Sequence, residues 1–482
     1  MILLSLQDPI DARLKPEGPP ASDHNFLRRA TLDTLGRLPT PDEIRAFEKT
    51  PDRARKIDEL LGSPEAADYF ADLWLRILMN YRFEETVPLK MNVPAFRGYL
   101  RDVYAKDVPY RDFVTQLLSD QGDNQKKPAT NYVLVSLDPK EPPSHAAGKT
   151  MRVFLGVQMQ CAQCHDHPFY KYTQEDFWGI AAFFGGAQAK ARTTFDGFGV
   201  KLMSGPAPSM KIPDTTSEVK PRFLDGRAPE KDEPALQALA RFVVESPNFN
   251  RAIVNRVWAQ LMGKGFIEPV DNLEAHPPRH PELFDALAAD FAKHQSLRRL
   301  VRSILSSRAY QSAGAELKPQ NPVQLLNTLS YALELNVFLE KFYEAYAKNF
   351  GDDNFFAKSY GNRDVFRLYL HLYMQSLLAP SGTPPEEAKY TGSVRLALKL
   401  MNSGDLQGLV KAEWGKLAAI LKAERTSEGR LTGIFYALLS RPPTAAERER
   451  YLAYVGKKKE NNKAFEDVYW TLLNSTEFIF NH

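Results

Sequence analysis

Helix punctuation governs this chain. Thr40-Pro41-Asp42-Glu43 is a capping box: the threonine hydroxyl takes the N3 amide, the glutamate takes the threonine amide, and proline at N1 loses no needed donor. Thr173-Gln174-Glu175-Asp176 carries a similar start signal, and Thr444-Ala445-Ala446-Glu447 repeats the box near the other end. Between such signals the apolar residues recur at helical spacing. This predicts helices at Asn25–Leu35, from Pro41 through Phe47, and at Asp52–Leu61, Pro64–Leu78, Val93–Val103, Tyr110–Leu118 and about His145 to Met159. Further helices follow at Leu236–Val244, Arg251–Met262, Pro281–His294, Leu297–Ser306 and Pro322–Lys348, with helical pattern to the end. The expected fold is mostly α: two helical domains joined by a Gly/Pro-rich segment with minor β-hairpins. The divisions are an extended lead-in over 1–23, a helical domain over 24–187, a linker over 188–234 and a helical domain over 235–482.

Composition narrows the class. At 482 residues and 43% hydrophobic content, the chain can build two to four cores. Sixty-two basic against 59 acidic residues leave a net charge of +3, too balanced to indicate a nucleic-acid or anionic-membrane partner. No apolar run approaches the length of a membrane span, and Ile434 to Leu439 reads as core. Met1 to Leu6 is too short for a signal-peptide core, so the protein is either cytoplasmic or a processed form without its leader.

The chain has two cysteines, and they stand together in Cys161-Ala162-Gln163-Cys164-His165-Asp166-His167-Pro168-Phe169. C-x-x-C-H is the haem c attachment pattern: two thiols can reach two vinyl groups of one porphyrin, and the adjacent histidine can take the iron as axial ligand. Other readings of the same residues are a zinc or other divalent site completed by His165 and His167, a redox dithiol or local disulfide, and two buried structural thiols. On the haem reading His167 is a hydrogen-bond partner beside the iron ligand and not itself a ligand, or an alternative metal ligand, Phe169, Phe177, Trp178, Phe183 and Phe184 could wall a pocket, and His280, His276 and His145 are distal candidates. His280 opens the Pro281 helix, which gives it a plain structural alternative. Arg256 either pairs with Asp271 or Glu268 or serves a haem propionate. Glu141, Asp166 and Glu175 are nearby carboxylates without an acid–base pairing. No Ser-His-Asp spacing, Walker loop, Rossmann glycine pattern or H-E-x-x-H signature occurs.

A weaker signal links the two ends. Leu35-Gly36-Arg37-Leu38-Pro39-Thr40 to Glu43 echoes Leu439-Ser440-Arg441-Pro442-Pro443-Thr444 to Glu447, and, more loosely, Ser63-Pro64-Glu65 with its aromatic helix resembles Asn474-Ser475-Thr476-Glu477-Phe478. The simpler reading is independent use of one good capping turn; the other is that the ends are related three-helix units.

Several longer motifs carry a family resemblance. Phe26-Leu27-Arg28-Arg29, Leu32-Asp33, Gly36-Arg37-Leu38-Pro39-Thr40, Val153-Phe154-Leu155-Gly156-Val157 and Cys161 to Phe169 resemble the planctomycete-type cytochrome-c-like domain. Arg251-Ala252-Ile253-Val254-Asn255-Arg256-Val257-Trp258, Glu268-Pro269-Val270-Asp271, His280-Pro281-Glu282-Leu283 and Leu472 to Phe478 are similar to the planctomycete-specific C-terminal domain that accompanies it. Residues 335–387 match poorly. The resemblance implies an exported, periplasmic or otherwise extracytoplasmic protein whose leader has been lost. It also implies at most one covalent haem, with no specific reaction. The expected role is electron transfer or a haem-dependent redox step, with a redox protein partner or larger assembly. The alternatives are a non-haem metal protein and a non-enzymatic scaffold with a local disulfide.

Overall fold

The computed structural model describes residues 7–79, 92–135, 143–190, 199–314, 316–335, 404–458 and 461–481, with 137 and 337. It is mostly helical, with small antiparallel strand pairs. Residues 7–14 and 70–304 form one compact unit; residues 15–69, 305–335 and 404–481 belong to the other. Both units therefore draw on separated stretches of chain, whereas the sequence pattern suggests two domains in succession.

Most helix ends fall where caps predict them. Pro41–Lys49 begins with Glu43 N–H on Thr40 Oγ1 at 3.2 Å and Thr40 N–H on Glu43 Oε2 at 2.7 Å. Three expectations need correction. The lead-in is helical over Gln7–Arg13, because Ile10 gains full burial (0% exposed) and that offsets the poor local propensity. The helix expected to run to Met159 stops at Leu155, and the one from Pro322 stops at Leu333, where Glu334 turns left-handed at φ 50°. The rest of the expected helix beyond 337, and most of 335–387, lie outside the described residues.

In the first unit, Ala187–Lys190 pairs antiparallel with Lys201–Ser204, which also pairs with Gly122–Asp123. Met210–Lys211 pairs with Glu218–Val219. These are the hairpins expected between residues 188 and 234. In the same unit Tyr110, Phe113, Phe154, Phe177, Phe183 and Phe249 are at most 1% exposed. Each such side chain contributes about 2–3 kcal/mol by leaving water.

In the second unit the echo between the chain ends extends well past the capping turn. Asp23–Leu35 and Ser427–Leu439 are both 13 residues long. Both end on a left-handed residue, Gly36 at φ 68° and Ser440 at φ 62°. Pro41–Lys49 and Ala445–Lys457 follow with the same box, then Arg53–Leu61 and Asn461–Leu473. Ser63 and Ser475 then open the next helices, accepting from Ala66 N–H and Phe478 N–H, each at 3.2 Å.

A charged clamp is also repeated. Arg37 donates to Glu43 at 2.9 and 3.0 Å and to Glu65 at 2.5 and 3.0 Å. Arg441 donates to Glu447 at 2.8 and 2.9 Å and to Glu477 at 2.6 and 2.7 Å. Convergent capping accounts for one turn, but not for four helix starts in one order closed by the same arginine between two carboxylates. The two ends are copies of one helical arrangement, and they share a core of Leu32, Leu38, Leu325, Leu431, Ile434, Phe435, Leu438 and Val468.

The clamps make a pH prediction. Hydrogen bonds from Arg441 hold the Glu447 carboxyl at about 2, against its usual 4.5. A depressed folded-state value contributes stability that is complete above 4.5 and lost as pH falls toward 2. Urea midpoints measured between pH 6 and 2.5 should therefore fall less steeply in Arg441→Met than in wild type. Replacement by lysine should not restore the slope, since an ammonium cannot match two carboxylates bidentately.

Candidate functional site

The segment before the motif is shaped by Gly156. At φ 61° it ends the Pro143–Leu155 helix, with its N–H on Arg152 O at 3.1 Å and Val157 N–H on Met151 O at 3.2 Å. A side chain here would be strained, and its Cβ would fall 2.6 Å from Leu273 Cγ. Gly156→Ala is expected to destabilise the unit by at least about 2 kcal/mol. Gly98→Ala, in the Val93–Ala105 helix with open space around it, should instead be neutral or stabilising. Paired urea titrations would check the contrast.

After Met159 the chain forms a 3-10 turn, Gln160–Gln163, with Cys164 N–H facing Cys161 O at 3.5 Å. Side chains at i and i+3 eclipse in such a turn, which puts Cys161 and Cys164 on one side. Both are exposed, neither is in a disulfide, and Ala162 between them is buried. The reading of two buried thiols is thereby corrected: the core contact of the turn is Ala162. The backbone of the turn is anchored from beneath. Gln163 O accepts from Trp178 Nε1 at 3.0 Å and Gln174 Nε2 at 3.2 Å, and Gln163 Nε2 donates to Ser144 Oγ at 3.4 Å. Phe177, Trp178, Phe183 and Phe184 are 1%, 7%, 0% and 1% exposed. They belong to the packed core and do not wall an open pocket, and Trp178 alone among them bonds the turn. The exposed aromatic is Phe169, at 85%.

The two motif histidines have different duties. His165 is exposed, and its Nδ1–H donates to the carbonyl of Asp166 at 2.7 Å. That bond fixes the tautomer and leaves the lone pair on Nε2. His167 Nδ1 instead accepts from Phe169 N–H at 3.2 Å and Tyr170 N–H at 3.1 Å. Its neutral ring therefore carries the proton on Nε2, and its role in the fold is to hold the turn. Asp166 Oδ1 accepts from Gln174 N–H at 2.9 Å, at the start of the Gln174–Ala182 helix beside Glu175 and Asp176. Negative charge is favourable there.

A second segment, Asp271–Glu274, is laced to the motif. Leu273 N–H meets Gly156 O at 2.8 Å, Gln158 Nε2 donates to Asp271 Oδ1 at 3.1 Å, Asn272 Nδ2 donates to Tyr170 Oη at 2.9 Å, and Tyr172 Oη donates to Glu274 Oε1 at 2.9 Å. Burial, then the Glu274 carboxylate, pushes the Tyr172 phenol well above its usual range, so it remains a donor. Sequence reasoning singled out Asp271 but not Gln158, Tyr170, Tyr172, Asn272 or Glu274. These contacts join positions about a hundred residues apart, and no local pattern records them.

The remaining candidates are dispersed. His280 is an exposed N-cap at φ 49° without a side-chain cap bond. His276 has both nitrogens engaged, Nδ1 with Pro277 O at 2.7 Å and Nε2 with Glu268 N–H at 3.2 Å. His145 is exposed on the Pro143–Leu155 helix, next to Ser144, which meets the motif turn. Arg256 is buried and neighbours Asp271. Glu141 lies outside the described residues. Among the described residues no three His, Cys, Asp or Glu side chains converge as a metal-binding group. Among the described residues no helix is long and apolar enough to cross a membrane.

Comparison with known families adds two matches. Residues 6–189 match PSCyt2, described as a protein of unknown function (DUF1549), and residues 237–329 match PSD1, described as a protein of unknown function (DUF1553). Together they support the planctomycete-type domain pairing that the motifs suggest. No curated protein and no solved structure matches the chain.

Proposed function

We propose that Cys161 and Cys164 carry a single haem c, that His165 is its axial ligand through Nε2, and that the protein transfers electrons outside the cytoplasm. One observation carries this reading. Two unpaired, exposed thiols share one side of a 3-10 turn, followed at once by an exposed imidazole whose Nδ1–H is committed to a backbone carbonyl. That donor set fits the group: free thiols for thioether formation, and a histidine in the tautomer that presents Nε2. The haem, when bound, supplies a one-electron couple.

The chain's own contribution is positioning. Trp178, Gln174 and Ser144 keep the turn rigid. The Asp166 carbonyl holds the His165 ring and raises its basicity as a ligand. Phe169 offers apolar surface beside the motif, and the exposure of Cys161, Cys164, His165 and Phe169 suits close approach by a redox protein partner. Because haem c is attached outside the cytoplasm, the reading requires export.

The test is elemental and optical. The protein, exported in a host with haem-attachment machinery, should contain one equivalent of iron and show a reduced c-type spectrum. Zinc without iron would favour the non-haem metal reading, and neither metal would favour a dithiol or scaffold role.

A further inference from the structure

The Gln174–Ala182 helix starts with an amide that its own cap does not satisfy. The capping box there is internal: Asp176 N–H meets Thr173 Oγ1 at 3.2 Å, and Thr173 N–H meets Asp176 Oδ2 at 2.9 Å. The N–H of Gln174, first residue of the helix, is left among the orphan donors of the first turn. Its acceptor comes from outside the helix: Asp166 Oδ1, eight residues back in the motif loop, at 2.9 Å. The side chain of Gln174 reaches the other way and donates to Gln163 O at 3.2 Å. One helix start therefore tethers the chain on both sides of His165.

The tether at Asp166 bears on the imidazole. His165 Nδ1–H donates to Asp166 O at 2.7 Å, and the ring is exposed. An exposed donor can exchange a carbonyl for water at little cost, so this bond persists where the carbonyl is held in place. The peptide unit that carries it is fixed at both ends. On one side His167 N–H meets Tyr172 O at 2.8 Å; on the other, the Asp166 carboxylate is bound to Gln174 N–H. The backbone bond is open to any residue at 167, whereas the second hold depends on one side chain. We propose that Asp166 is a positioning residue for His165: its carboxylate, seated on the helix start, holds the carbonyl that keeps the ring proton on Nδ1 and Nε2 free to coordinate. The role of Nε2 as a ligand rests on the haem reading above, whereas the tautomer is set by this chain alone.

The first readout needs no haem. Haem-free full-length protein, carrying isotope-labelled histidine and kept reduced, gives long-range nitrogen–proton spectra that report the tautomer of each ring, and His165→Gln identifies the signal. At alkaline pH, where imidazole rings are neutral, wild type should show His165 protonated on Nδ1. Asp166→Ala should lose that preference. Asp166→Asn still offers an oxygen to Gln174 N–H and should keep it. Thr173→Ala removes the cap of the same helix, so it should lower stability without changing the His165 tautomer. The second readout is the midpoint potential of haem-bearing protein. Asp166→Ala should lie above Asp166→Asn, since both lack the charge and only the first loosens the bond that makes the ligand more basic. A wild-type ring protonated on Nε2 would overturn the proposal, as would an Nδ1–H ring that survives Asp166→Ala. Loss of the tautomer in Asp166→Asn or Thr173→Ala, or equal potentials in the two Asp166 variants, would also overturn it. A chain that takes up no haem would count against the haem reading and leave the tautomer to decide the role of Asp166.

Discussion

Serine at both 161 and 164 should eliminate covalent haem while leaving stability within about 0.5 kcal/mol of wild type. The thiols are exposed and unpaired, so the fold does not lean on them. Single variants should retain one thioether and a reduced yield, and His165→Met should keep the attached group but alter its spectrum through the changed axial ligand. Haem staining, intact mass and urea unfolding on the same samples separate the possibilities. If the pair were a structural disulfide, the double serine variant would lose stability without any spectral change.

Arg28→Met should produce the largest loss of stability of any single substitution in the second unit, about 3–5 kcal/mol. Arg28 is 1% exposed, and burial lowers its guanidinium to about 10. It donates to Leu438 O at 3.2 Å, Glu477 O at 2.7 Å and Phe478 O at 3.2 Å. Leu438 lies in the last turn of the Ser427–Leu439 helix, where carbonyls have no intrahelical partner. One side chain of the first copy thus caps the second, and its removal strands several buried acceptors. Lysine should not rescue, because a single ammonium cannot span carbonyls so arranged. Denaturant midpoints of Arg28→Met, Arg28→Lys and wild type would check this, with unchanged motif chemistry as the control.

The uneven legibility of the fold in the sequence has physical reasons. Helix starts were readable because a capping box is local: Thr40 and Glu43, or Thr444 and Glu447, satisfy each other within four residues. Two helix ends were not. Val157 and Met159 continue the apolar period past Gly156, and only the left-handed glycine, tight against Leu273, stops the helix. Glu334 does the same at φ 50° with no compositional sign. The repeat was visible in Arg37 and Arg441, but its extent emerged only with Glu65 and Glu477 seen closing both clamps. The grouping of the chain ends rests on contacts such as Arg28 to Phe478, separated by 450 residues, which no periodicity encodes. At the site, C-x-x-C-H marks Cys161, Cys164 and His165 as sequence neighbours that are all exposed, whereas the aromatic residues Phe177, Trp178, Phe183 and Phe184 belong to the core. The supporting Asp271–Glu274 segment is likewise a product of packing.

The most direct test of the account is the intact mass of the full chain, exported in a strain whose haem-attachment machinery loads a control cytochrome c. The account predicts the polypeptide plus one haem, lost in the double serine variant. A correctly exported, folded wild-type chain at the unmodified polypeptide mass would contradict it.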